Sequence, residues 1–202
     1  MRRFSSLPAR LATLLFCAGI AMASTIASAD YELVDAPKEL PDFLLFNQDF
    51  KPLRRQDLQG QWTLLYFGYM NCPDVCPTTL SHLSQVMKSL KQSDVIPLPR
   101  VLFVSVDPWR DTPQKLKEYV RYFDPSFLAA SADTPQLNIL TNALQVIYYN
   151  NRSREDSTDY AVSHSDAVFL LDPLVRLRGY FKAPLNDDEM TRVLERELKP
   201  QP

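Results

Sequence analysis

The chain has 202 residues, 46% hydrophobic and 23% charged, which is enough apolar material for one ordinary core and too little length for two. Its 22 basic and 24 acidic side chains give a formal net charge of -2, with no single-sign run, low-complexity tract or internal repeat, so a disordered interaction tail and a solenoid are both excluded. The same balance excludes a nucleic-acid binder, which would carry a basic excess on one face.

Residues 1–29 read as an export segment. Arg2, Arg3 and Arg10 form a basic start, Leu11 to Ala23 an apolar run, and Ala27-Ser28-Ala29 an A-x-A cleavage pattern. The uncharged stretch from Leu11 to Ala29 is also roughly long enough to span a bilayer if uncut. The segment is therefore either a cleaved signal peptide or a retained N-terminal membrane anchor, and the expected location is the periplasm, with membrane contact through this segment only. Cys17 lies inside the apolar run and has no expected chemistry. Without the three arginines the remaining body carries -5.

Residues 30–42 are extended and proline-broken, and read as a tether ahead of a single domain over 43–198, which opens with an edge strand at Phe43 to Phe46. Gln61 to Phe67 is a continuous apolar run ended by Gly68, the pattern of a central strand buried on both faces. Leu80, Leu83, Val86, Met87 and Leu90 then recur at helical spacing over Thr78 to Leu90. Val101 to Val106 is a second apolar strand, stopped by Asp107-Pro108. Pro113 fits the first helical position with Thr112 as cap, and the helix continues through Leu116, Tyr119, Val120 and Phe123. Thr134 is the expected cap of a third helix through Leu137, Leu140, Leu144 and Ile147.

Tyr149 to Ser163 is polar and reads as an exposed loop or ragged hairpin. Ala167 to Leu171 follows as a strand, Asp172-Pro173 as a turn, Leu177 to Phe181 as the hairpin partner, and Asn186 caps a last helix through Met190, Val193, Leu194 and Leu198. This order predicts an α/β fold with a central mixed β-sheet flanked by helices.

The chemistry is concentrated in Gly68-Tyr69-Met70-Asn71-Cys72-Pro73-Asp74-Val75-Cys76-Pro77. Two cysteines four apart close too short a loop to staple a chain of this size, so Cys72 and Cys76 are expected to do thiol chemistry. A proline is tolerated where its missing N–H would be unpaired anyway, so Pro77 places the helix start near Val75 to Pro77. The half-positive helix terminus beside Cys76 is expected to favour thiolate over thiol. Residues four apart on a helix stand ~5–6 Å apart at Cβ, against the ~3.5–4.5 Å of a disulfide, which leaves room for a metal, although a loop before the helix can still pinch shut.

Two thiolates are an incomplete site for most metals, and the chain has two histidines. His82 lies six residues past Cys76, about 9 Å further along the helix axis, too far to share an ion. His164 stands at an element end where a loop can carry it over another strand's edge. From its position it is either a third ligand or a histidine satisfied by the Ser163 or Ser165 hydroxyls. A sulfur, sulfur, imidazole set suits Cu(I) through its thiolates and Cu(II) through the added imidazole. Zinc competes, but its structural sites close with four ligands, the fourth here being water or Asp74.

The residues resemble the Sco/SenC family of copper-handling cytochrome c oxidase assembly proteins. The resemblance rests on Tyr66-Phe67-Gly68-Tyr69, the Cys72 to Pro77 block, Ser105-Val106-Asp107-Pro108 with Arg110-Asp111-Thr112-Pro113, and His164-Ser165 followed by Leu171-Asp172-Pro173. It implies a thioredoxin-like fold over about Phe43 to Leu198, with one copper ion per chain, Cu(I) or Cu(II), bound by Cys72, Cys76 and His164. It also implies a copper donor protein as one partner and cytochrome c oxidase subunit II as the other. Ser163 departs from the family pattern, since an aspartate that would orient the imidazole is common there. Trp109 and Ser131 depart too, away from the ligands. Asp107, Arg110 and Asp111 read as loop and capping residues.

Two rival functions use the same segment. A thiol-disulfide oxidoreductase would employ Cys72 and Cys76 as its redox pair and leave His164 dispensable. A peroxidase would need a threonine approaching a single reactive cysteine, which Met70 and Asn71 do not supply. A phosphate loop is unsupported by Gly60, Gly68 and Gly179, the scattered glycines of the body.

Overall fold

The computed structural model describes residues 31–93, 95–150, 160 and 162–199. Residues 1–29, read above as an export segment, lie outside the described residues. Among those described, no helix is long and apolar enough to cross a membrane.

The described residues form ten strands and four α-helices in chain order: β1 Tyr31–Glu39, β2 Leu44–Asn47, β3 Pro52–Arg54, β4 Thr63–Gly68, α1 Val75–Gln92, β5 Arg100–Ser105, α2 Pro113–Phe123, β6 Leu128–Ser131, α3 Thr134–Ala143, β7 Tyr148–Asn150, β8 Val162–His164, β9 Val168–Leu171, β10 Arg176–Phe181 and α4 Asp187–Glu197. Among the described residues, eight strands form one mixed sheet in the order β1-β10-β9-β4-β5-β6-β2-β3, and β7 pairs with β8 in a second sheet. β4, β5 and β6 run parallel, joined through α1 and α2, while β9 lies antiparallel on the other side of β4. Every residue of β4 and β9 is buried, as is all of β5 after Arg100. Strands covered on both faces need apolar side chains at every position, which is why these three read as unbroken apolar runs. β10, one place in from the edge, alternates half-buried and buried residues.

Three expectations are corrected. The stretch read as a tether is largely an edge strand, since β1 pairs antiparallel with β10 from Tyr31↔Phe181 to Glu39↔Arg176. Its proline is accommodated because the pairing breaks between Leu33 and Lys38, and an edge strand has one unbonded side. The segment at Phe43 to Phe46 is not an edge: β2 lies between β6 and β3. The third helix is capped by Asp133, which accepts from the Gln136 N–H, with Thr134 as its first helical residue. Thr112 does stand at the N-cap of α2, but its side chain makes no capping bond there. Asn186 caps α4 as expected, accepting from Glu189 N–H.

α1 packs against α4 and α2. It buries Cys76, Leu80, Leu83, Val86, Met87 and Leu90 against the sheet, holding its N-terminus over the C-terminal end of β4. The loops after β4 and β5 and the end of β8 meet there.

Candidate metal centre

β4 ends at Gly68, and the chain turns through Tyr69 to Cys72, with Cys72 N–H donating to the Tyr69 carbonyl at 3.3 Å. Asp74 is the N-cap of α1, and Cys76 and Pro77 fall in its first turn, as the proline demanded. Both thiols are free, and the Cys76 N–H donates to the Cys72 sulfur at 3.3 Å. This bond folds the Cys72 side chain back over the helix end.

His164 arrives from β8, opposite Tyr148 of β7. Its Nε2 lies 3.2 Å from Cys76 Sγ, and its Nδ1 lies 2.9 Å from the Ser165 carbonyl. A carbonyl can only accept, so Nδ1 carries the proton and the Nε2 lone pair faces the sulfur. The alternative of a histidine satisfied by serine hydroxyls does not hold, and the orienting role expected of residue 163 falls to the Ser165 carbonyl. The Tyr66 and Tyr69 rings meet the imidazole edge-on at centroid distances of 6.1 and 5.8 Å, which fixes its plane. The donor atoms of Cys72, Cys76 and His164 all lie within 4.8 Å of one another, the one such grouping of ligand residues among the described residues. His82 takes no part and pairs with Asp187 of α4 at 2.7 Å.

The electrostatics differ from expectation at Cys76. Burial pushes its thiol up to about 12, outweighing the Tyr69 backbone N–H that pulls it down. A side chain wholly shielded from water loses more by giving up hydration than a helix terminus returns. Burial also lowers the His164 pKa, against the opposing influence of the Ser165 carbonyl and Asp166. A neutral imidazole therefore faces a protonated thiol. Cys76 is buried and Cys72 and His164 are half-buried, so an ion would enter past the latter two.

Asp111 does more than shape a loop. Its Oδ2 accepts from the Met70 N–H at 3.0 Å and from the Ser105 hydroxyl at 2.6 Å, tying the cysteine loop to the end of β5. Burial pushes its carboxyl from 3.8 to about 6, against the pull of those two hydrogen bonds. A carboxyl raised on folding binds more protons folded than unfolded between about pH 4 and 6, so its contribution to stability falls as pH rises through that window. Asparagine does not titrate. Asp111→Asn is therefore expected to gain on the parent protein by up to about 3 kcal/mol between pH 4 and pH 7, read from thermal melts of the metal-free forms. A stability difference constant across that range would refute the assignment.

The chain matches the SCO1/SenC family over residues 32–199. The mitochondrial SCO2 homolog of Mus musculus is 32% identical over 198 residues, covering 93% of this chain and 77% of the relative. Among solved structures, Arabidopsis thaliana ScoI with copper bound is 29% identical with a TM-score of 0.72, covering 78% of this chain and 96% of that one. Bradyrhizobium japonicum ScoI with copper bound is 31% identical with a TM-score of 0.68, covering 78% and 98%. The mixed sheet flanked by helices is thus thioredoxin-like, and with nearly all the described residues matched, the chain belongs to the SCO1/SenC family.

Proposed function

We propose that the chain is a copper metallochaperone that binds one copper ion through Cys72 Sγ, Cys76 Sγ and His164 Nε2 and delivers it to the binuclear copper site of cytochrome c oxidase subunit II. The observation that carries this reading is the unprotonated Nε2 of His164, 3.2 Å from the Cys76 sulfur and aimed at it. Support comes from the copper held by two related proteins of the same fold. Binding would leave both cysteines as thiolates, their protons passing to solvent and the metal taking the place of the one between Cys76 Sγ and His164 Nε2, because thiolate, not thiol, is the ligand. Three donors and a half-open rim leave the ion accessible to ligand exchange, first through Cys72 and His164. Residues 1–29, read as an export segment, support an exchange in the periplasm, with a copper donor protein as the source of the ion.

One feature favours a second reading. Cys72 is half-buried and Cys76 buried, which lets one sulfur attack a target disulfide and the other resolve the mixed disulfide, the chain's dithiol becoming a disulfide as the target gains two thiols. In that case His164 contributes nothing essential. Complementation of a strain lacking this chain separates the two. His164→Ala is expected to fail to restore oxidase activity, as are both cysteine variants; restoration by His164→Ala would replace copper delivery with thiol reduction.

A further inference from the structure

Cys72 and Cys76 are held by the main sheet through β4 and α1. His164 belongs to β8, which among the described residues pairs as a strand with β7 in a separate two-stranded sheet. We propose that Arg110 is a positioning residue for His164, clamping the arm that carries this ligand onto the loop between β5 and α2; this rests on the copper reading above.

The clamp is a closed ring of three residues. Arg110 Nε donates to Asp107 Oδ2 at 2.5 Å, and its Nη1 donates to the Tyr160 carbonyl at 2.9 Å. The guanidinium also stacks on the Tyr160 ring, 3.7 Å from the centroid. The Tyr160 hydroxyl closes the ring by donating to Asp107 Oδ1. Asp107 and Tyr160 are both buried and the Arg110 side chain is 11% exposed, so water competes poorly for these bonds. Tyr160 stands four residues before His164 on the same arm. A second tie runs parallel, the Val162 N–H approaching the hydroxyl of Tyr69, whose ring meets both the imidazole and Arg110. Only a planar fork can grip a carboxylate, a carbonyl and a ring face at once, which lysine cannot do.

The test uses the whole chain as wild type, Arg110→Ala, Arg110→Lys, His164→Ala and the double variant Arg110→Ala/His164→Ala. In the metal-free proteins the His164 imidazole resonances are followed by NMR. In the copper-loaded proteins affinity is measured by chelator competition for Cu(I) and for Cu(II) separately, the loss being expected chiefly for Cu(II), which the imidazole serves, and the Cu(II) form is also followed by its paramagnetic resonance spectrum. Arg110→Ala is expected to shift or broaden the imidazole resonances and to weaken copper binding by about 10- to 100-fold, the range for residues that orient a ligand. Its Cu(II) spectrum should approach that of His164→Ala. Arg110→Lys should recover part of the loss. In the His164→Ala background, removing Arg110 should cost nothing more, because the effect runs through the imidazole. Should Arg110→Ala fail to fold, Tyr160→Phe, which removes one hydroxyl, is expected to move the same resonances less far. Unmoved resonances, or an equal loss in the His164→Ala background, would overturn the clamp. Unchanged copper affinity in His164→Ala would instead sink the copper reading, with the metal-free resonances still deciding the clamp.

Discussion

Serine in place of Cys76 is expected to lower copper affinity by more than about a hundredfold. Loss of a residue that merely orients a ligand costs about 10- to 100-fold, so loss of the ligand itself sets a larger effect. The side chain is wholly buried, its thiol facing the His164 Nε2 lone pair on one side and packing over Gly68 on the other. No other described histidine, cysteine, aspartate or glutamate belongs to the ligand grouping. Cys76→Ser should depress Cu(I) and Cu(II) binding together, while His164→Ala should spare Cu(I) more than Cu(II), since two thiolates satisfy the softer ion and the imidazole serves the harder one. Chelator competition for each oxidation state, with thermal melts of the metal-free proteins as control, reads the result. Retention of one-to-one copper with unchanged affinity in Cys76→Ser would remove the ligand assignment.

The second large effect belongs to a residue with no donor atom. A Cβ at Gly68 would lie 2.6 Å from Phe103 Cε2 and 2.8 Å from Cys76 Sγ. Phe103 cannot retreat, because it is wholly buried between the Tyr66 ring at 6.0 Å and the Tyr119 ring at 5.7 Å. Gly68→Ala therefore overpacks the end of β4, at about 1–3 kcal/mol, or roughly 2–12 °C in Tm for a domain of this size. It also pushes the Cys76 sulfur out of line with His164, so copper affinity falls along with stability. Gly60→Ala is the control. Gly60 has φ +81° with nothing within 4 Å of a Cβ, so alanine there strains the backbone by about 1–2 kcal/mol yet leaves the metal centre untouched. Equal copper affinity in the two alanine variants would show that Gly68 serves the backbone and not the sulfur.

Which elements were legible follows from how locally each is determined. β4, β5 and β9 announce themselves because burial on both faces admits only apolar residues. α1, α2 and α4 do so because each buries one helical stripe. β6, by contrast, is Leu-Ala-Ala-Ser, too short and too alanine-rich to read as a strand, and it exists because β5 and β2 offer it hydrogen bonds on both sides. β1 carries no period of two and a proline, and becomes a strand only because β10 presents an open edge. β3 is three residues long and is likewise made by its partner, β2.

By itself the sequence determined the two cysteines at a helix start, the third donor type, and the order of strands and helices that makes the mixed sheet. These depend on spacing along the chain and on local burial patterns. Only the tertiary structure decided that His164 closes on Cys76, which of its nitrogens faces the sulfur, and that Cys76 holds its proton. It also decided that Asp107, Arg110 and Asp111, read as loop and capping residues, tie the cysteine loop and the histidine arm together. Proximity between segments some ninety residues apart and the loss of water around a thiol are properties of packing, and no local pattern of residues encodes either.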